Sequence, residues 1–177
     1  MEQIMNKLPI VIREATVDDA PFIFNSWLKS YKDSDFARRV PNIIYFAEHH
    51  KLIEGLLSHC SIYVACSEED SNQILGYIVA SSFTGTPIIH YIYIKHSFRK
   101  LGLATQLISS LSLNKSNMIA VTHWNKYATI ASNKYHLVYH PYLLYTKTDV
   151  KLKSKLEKIY IEQKIKGNVD GGHKDSN

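Results

Sequence analysis

The sequence predicts an α+β domain: a mixed, mostly antiparallel central sheet of six to seven strands flanked by helices. Three observations carry this expectation. Short runs rich in Val, Ile and Tyr alternate with stretches whose apolar residues recur at helical spacing. Three consecutive strand-like runs are joined by short polar turns, which implies antiparallel pairing. A helical stretch then separates the last of these from the next run, which implies one parallel crossover.

Taken in order, Ile10-Val11-Ile12 after Pro9 reads as a first strand. Thr16-Val17-Asp18-Asp19 resembles a capping box with Asp in place of Glu. Ala20, Ile23, Phe24, Trp27, Leu28 and Tyr31 then share one helical face, ending near Lys32. A polar connection holds Asp33, Asp35, Arg38 and Arg39 and leads to Pro41, which suits a helix's first turn. Tyr45, His49, Leu52, Ile53 and Leu56 mark a second helix. Ser61–Ala65, Ile74–Ser82 and Ile88–Ile94 are the three sequential strands. The last is apolar or aromatic on both faces apart from His90, so it belongs in the sheet centre. Leu101, Ala104, Leu107, Ile108 and Leu111 mark a third helix. NMIAVTHW is another buried strand, Tyr127–Lys134 a weak helix, and HLVYHPYLLYT one or two closing strands.

The chain has 177 residues, 45% hydrophobic and 21% charged, which fits one ordinary domain. That domain is expected over residues 1–148, with a lysine-rich helix at 149–166 and a tail at 167–177 that cannot bury enough apolar surface to order itself. Cys60 and Cys66 lie roughly 20 Å apart along an extended strand and cannot bond there. With no long apolar segment, this implies a cytoplasmic protein without a membrane partner. The net charge is +5, and its distribution is uneven. All 16 acidic residues lie before Ser71 or after Thr148. The intervening stretch carries Lys95, Arg99, Lys100, Lys115, Lys126, Lys134 and Lys147. An anionic ligand explains such a stretch; compositional drift in a lysine-rich chain is the bland alternative.

The run YIYIKHSFRKLGLATQLI passes from the central strand into the third helix through Arg99-Lys100-Leu101-Gly102-Leu103-Ala104-Thr105. A helix start offers unpaired N–H groups and partial positive charge. Gly102 allows close backbone approach, and Arg99 and Lys100 add full charges. The turn is an anion site suited to a pyrophosphate.

This Arg-x-x-Gly-x-Ala turn, following a buried strand and opening a helix, resembles the acyl-CoA loop of the GNAT superfamily, the GCN5-related N-acetyltransferases. The element order from Ile10 to Tyr145 is similar too. The resemblance implies acetyl-CoA, or another acyl-CoA, as cosubstrate, with its pyrophosphate on the amides of Arg99–Thr105. It also implies a pantetheine arm along Ile92, Tyr93 and Ile94. His96 stands where many members have Pro. The fourth-helix Asn-x-x-Ala and later Tyr are echoed by Asn125-Lys126-Tyr127-Ala128 and Tyr135, but the Gly-Phe that often follows is absent. WLKSY, KHSFRKLG and THW also resemble a small phage and prophage group.

Acyl transfer to an amine needs a base, an oxyanion donor and an acid. Ile88–Ile94 holds no carboxylate, so His123 and His90 are the candidate bases, with unperturbed pKa values near ~6.5. His123 ranks first because it ends a strand, and strand ends face the ligand crevice in open sheets. Its ordinary alternative is a hydrogen-bonded strand-end histidine; for His90 it is a place in the core. Tyr127 and Tyr135 are the candidate acids, against the usual packing role of tyrosine. His49 and His50 are candidate acceptor contacts. A metal site has no support, since neighbouring helix residues do not face one another. The leading expectation is an acyl-CoA-dependent N-acyltransferase that favours neutral or anionic acceptors, including a nucleotide amine. The alternative is a non-catalytic protein of the same fold, phage-encoded, that recognises a host protein or nucleic acid.

Overall fold

The computed structural model describes residues 9–113 and 118–145. The expected helix at 149–166 and the tail lie outside them. Six strands form one sheet in sequence order: β1 (Ile10–Glu14), β2 (Ser61–Ser67), β3 (Ile74–Phe83), β4 (Thr86–Ile94), β5 (Ile119–Val121) and β6 (Leu137–Tyr139). The pairs from β1 to β4 are antiparallel. β4–β5 and β5–β6 are parallel. The expected crossover runs through α3 (Leu103–Ser109), and a second one runs through α4 (Lys126–Ala131). The second was missed because α4 is a weak helical signal and β6 is short. The closing segment gives one strand only: Pro141 lacks the N–H a ladder needs and opens a 3₁₀ turn, Pro141–Tyr145.

α1 (Ala20–Lys32) and α2 (Asn42–Leu57) fill the long connection between β1 and β2. The start of α1 is pinned by Asp19. Its carboxylate accepts the Thr16 N–H at 2.6 Å and both Arg13 guanidinium nitrogens at 2.7 and 2.9 Å. Burial pushes this carboxyl up, yet the Arg13 and Thr16 hydrogen bonds outweigh it and hold it below its usual range. α4 is capped by Asn125, whose side-chain oxygen accepts from the Tyr127 and Ala128 amides. Thr84 and Gly85 both have positive φ in the β3–β4 turn, the geometry a tight hairpin requires.

The sheet separates two cores. On one face, α1 and α2 bury Ile23, Trp27, Tyr31, Tyr45 and Ile53 against Tyr77, Val79 and Tyr91. On the other, Leu103 and Leu107 of α3 pack with Leu75, Ile78, Ile89 and Val121. β4 serves both. Val79 pairs with Tyr91 but Ala80 pairs with Ile89, so His90 is an extra residue, a β-bulge. Its effect shows in the packing: Ile89 faces α3, and beyond the bulge it is Ile92 and Ile94 that do so while Tyr91 and Tyr93 face α1. Cys60 and Cys66 are buried and unbonded. Among the described residues no helix is long and apolar enough to cross a membrane.

Candidate active site

β4 and β5 pair at only two registers, Ile88 with Ala120 and Ile89 with Val121. β5 stops there while β4 runs on to Ile94. The edge of Tyr91–Ile94 turned away from β3 is therefore left without a strand partner among the described residues. Apart from the Ile94 carbonyl, which accepts from Arg99, the N–H and C=O groups on this edge have no strand to pair with and suit an extended ligand, as an added strand would.

The loop Arg99–Thr105 lies at the far end of this gap. Lys100 and Gly102 have φ of 66° and 81°, two left-handed residues within three positions. For Lys100 this is strain of order 1–2 kcal/mol. Such residues turn backbone N–H groups into anion-binding hollows. A side-chain carbon added at Gly102 would meet no protein atom within 4 Å, so the space before it is open. Leu101 is exposed at the turn, and Leu103 closes it by burying into the α3 core. The Arg99 Nε donates to the Ile94 carbonyl at 3.0 Å, and its guanidinium donates to the Tyr127 hydroxyl at 2.6 Å. Lys134 Nζ donates to Thr105 Oγ1 at 3.2 Å. No ion pair among the described residues involves Arg99, Lys100, Lys126 or Lys134, so their charge is available to a ligand.

On the opposite face of the gap sits His123, just past β5. Its ring lies among Trp27 and Tyr31 of α1, His49 of α2 and Tyr91 of β4, with centroids 5.2, 4.8, 5.2 and 6.0 Å away. His49 is itself stacked between Tyr31 and Tyr45. The Nε2 atoms of His123 and His49 and the Trp27 Nε1 are buried without hydrogen-bond partners. Burial takes the His123 imidazole well below its ordinary value, with His49 and His90 adding to the effect. Burial takes His49 down to about 4. His90, buried and next influenced by His59, falls to about 3. The sequence expectation of an imidazole titrating near ~6.5 is thereby corrected: no charged partner offsets the loss of water around these rings.

His90 and His123 are brought together. The Thr122 hydroxyl lies 3.0 Å from His90 Nδ1 and 3.1 Å from His123 Nδ1. The two tyrosines have other surroundings: Tyr127 is exposed and bonded to Arg99, and Tyr135 is half-buried against the α3 core. His50 stacks on Phe24. Sequence reasoning missed Thr122 and Ser81. The signal was present, because a polar residue in an otherwise apolar strand needs a buried partner. Among the described residues no three His, Cys, Asp or Glu side chains are placed to hold a metal ion.

Residues 21–128 match the family model described as the acetyltransferase (GNAT) family. No curated protein matches the chain. Among solved structures, a possible acetyltransferase from Clostridium difficile 630 is similar at 14% identity and a TM-score of 0.49, over 75% of this chain and 94% of that one. The GNAT family N-acetyltransferase YhbS from Escherichia coli, in complex with CoA, is similar at 23% identity and a TM-score of 0.41, over 58% of this chain and 54% of that one. The PaiA N-acetyltransferase from Thermoplasma acidophilum, in complex with coenzyme A, is similar at 14% identity and a TM-score of 0.44, over 58% and 69%.

Proposed function

Because this chain belongs to the acetyltransferase (GNAT) family, we propose that it transfers an acyl group, most readily acetyl, from acyl-CoA to an amine by direct attack in a ternary complex. The observation that carries this reading is the gap between β4 and β5 with the left-handed loop at its end. An acyl-CoA laid there pairs its pantetheine amides with Tyr91–Ile94 and rests its pyrophosphate on Arg99–Thr105. A backbone N–H of Ile92–Ile94 then faces the thioester oxygen and stabilises the tetrahedral oxyanion. The acceptor amine enters from the α1–α2 side. His123 accepts its proton through the unpartnered Nε2. Tyr127 and Tyr135 are left as donors to the departing thiolate, with Arg99 beside Tyr127.

The acceptor is neutral or anionic in this reading. Of the carboxylates on the α1–α2 side, Asp35 is bonded to Arg38 and Glu48 to Lys51. The loop side has none from Ser71 to Thr148. The test is thermal stability with acetyl-CoA. Ligand at 100 times its dissociation constant should add ~2.7 kcal/mol. No shift at millimolar acetyl-CoA in folded protein rejects the reading.

One observation favours a second reading, a non-catalytic binding protein of this fold that contacts a protein or nucleic acid. The histidines nearest the gap are closed in by aromatic rings and hard to protonate. Acetyl-CoA binding with no transfer to any amine would select it.

A further inference from the structure

Four side chains, from β3, β4 and the segment just past β5, form one continuous hydrogen-bonded line. Ser81 Oγ of β3 lies 2.8 Å from His90 Nε2 of β4. His90 Nδ1 lies 3.0 Å from Thr122 Oγ1, and Thr122 Oγ1 lies 3.1 Å from His123 Nδ1. All four residues are at least nine-tenths buried. A neutral imidazole has one donor and one acceptor nitrogen, and a hydroxyl has one hydrogen. The protons along such a line therefore run in one of two orders. In one, His123 carries its hydrogen on Nε2. In the other, it carries it on Nδ1 and leaves Nε2 as a lone pair.

The surroundings select between them. His123 Nε2 is buried without a hydrogen-bond partner. The first order would therefore bury an N–H without a partner, which folded proteins avoid more strictly than an unused acceptor. The second order leaves only a lone pair there, so Nδ1 bears the hydrogen and donates to Thr122 Oγ1. With Nδ1–H fixed, the Thr122 O–H is free to donate to His90 Nδ1, and His90 Nε2–H donates to Ser81. The one hydrogen of the Thr122 hydroxyl and of each imidazole is then used. The bulge makes this possible: as the residue outside the β3–β4 pairing, His90 is free of the strand's alternation.

Resting on the reading of His123 as the base, we infer that His90 and Thr122 are positioning residues that hold His123 in the Nδ1–H tautomer and so present a bare Nε2 to the acceptor amine. The test is two-bond ¹H–¹⁵N correlation of the histidine rings in the full-length protein near pH 7.5. The expected spectrum shows His123 protonated at Nδ1. Thr122→Val should shift His123 toward the Nε2–H form and lower kcat about 10–100-fold, the range typical of groups that orient a functional histidine. KM for acetyl-CoA should hold. Thr122→Ser should restore both the tautomer and the rate. A wild-type His123 protonated at Nε2 overturns the inference, and so does a Thr122→Val protein with unchanged tautomer and rate. If Thr122→Val does not fold, the wild-type spectrum and Thr122→Ser still decide. Failure of the base reading shows separately, as wild-type turnover in His123→Ala.

Discussion

The Arg99 guanidinium donates to the Tyr127 hydroxyl at 2.6 Å while lying 4.9 Å over the same ring. Its Nε is held by the Ile94 carbonyl. One side chain thus ties the end of β4 to the start of α4 across the mouth of the gap. Tyr127→Phe keeps the cation–π contact and should leave acetyl-CoA affinity within about threefold. Tyr127→Ala loses both contacts and should weaken it about tenfold, ~1.4 kcal/mol, as titration calorimetry would read. A collapse of kcat in Tyr127→Phe with affinity intact would instead make Tyr127 the acid.

Gly102 sits at φ 81° with open space before it. Gly102→Ala should cost about 1 kcal/mol of stability through the left-handed conformation alone. Gly102→Glu adds a charge in the proposed phosphate hollow and should abolish the acetyl-CoA thermal shift. Equal binding by a folded Gly102→Glu protein means the pyrophosphate lies elsewhere.

His123→Ala should lower kcat by ~10²–10⁴ with acetyl-CoA affinity little changed. The imidazole is held well below its ordinary pKa by burial, so it does not gain its proton where a free imidazole does. Turnover at neutral and alkaline pH should therefore track deprotonation of the acceptor amine. A wild-type inflection near ~6.5 that disappears in His123→Ala would show that the ring titrates in water after all.

Acid should unfold this protein early. His49 and His90 sit at about 4 and about 3 when folded, and His123 well below its ordinary value. The unfolded chain takes up these protons near ~6.5 and the native state does not. Stability is thus full above that pH and falls as pH drops toward 4. Each histidine contributes ~1.4 kcal/mol per pH unit, so the three together reach ~4 kcal/mol per unit. Asp19, also depressed, adds loss of the same sign at lower pH. Urea midpoints at pH 7, 6 and 5 check the slope, which His49→Phe should make shallower. Constant midpoints would mean that water reaches the rings.

A panel of amines in radiolabelled-acetyl transfer at fixed low salt tests the acceptor. Polyamines and basic peptides should be poor relative to amines carried on anionic molecules, because long-range repulsion opposes a polycation. Good turnover of spermidine with none of nucleotide-linked amines would assign the acceptor site to Asp33 and its neighbours.

Much of this was legible because it follows from period and punctuation. Helical spacing from Ala20 to Tyr31, the polar turns between β2, β3 and β4, and Gly102 after a buried strand gave the element order and the loop. The charge count gave the acid-free half. What was not legible depends on pairing between distant residues. Nothing local says that Thr122 meets His90, or that β5 stops where β4 continues. The depressed histidines also required the fold, since their shift comes from burial, at His123 among Trp27, Tyr31 and Tyr91 and at His49 between Tyr31 and Tyr45.

The extra residue in β4 has a consequence for how the strand tolerates change. The strand carries two reading frames, one up to Ile89 and another from Tyr91, with His90 as the frameshift. Substituting His90 alters one ring. Deleting it removes the one residue without a partner on β3 and leaves a regular strand: after Ile89 toward α3 comes Tyr91 toward α1, so Tyr91 and Tyr93 keep the α1 face and Ile92 and Ile94 keep the α3 face. The bulge is thus a place where β4 can lose a residue without either face changing its lining. What such a loss removes is the imidazole and its bonds to Ser81 and Thr122.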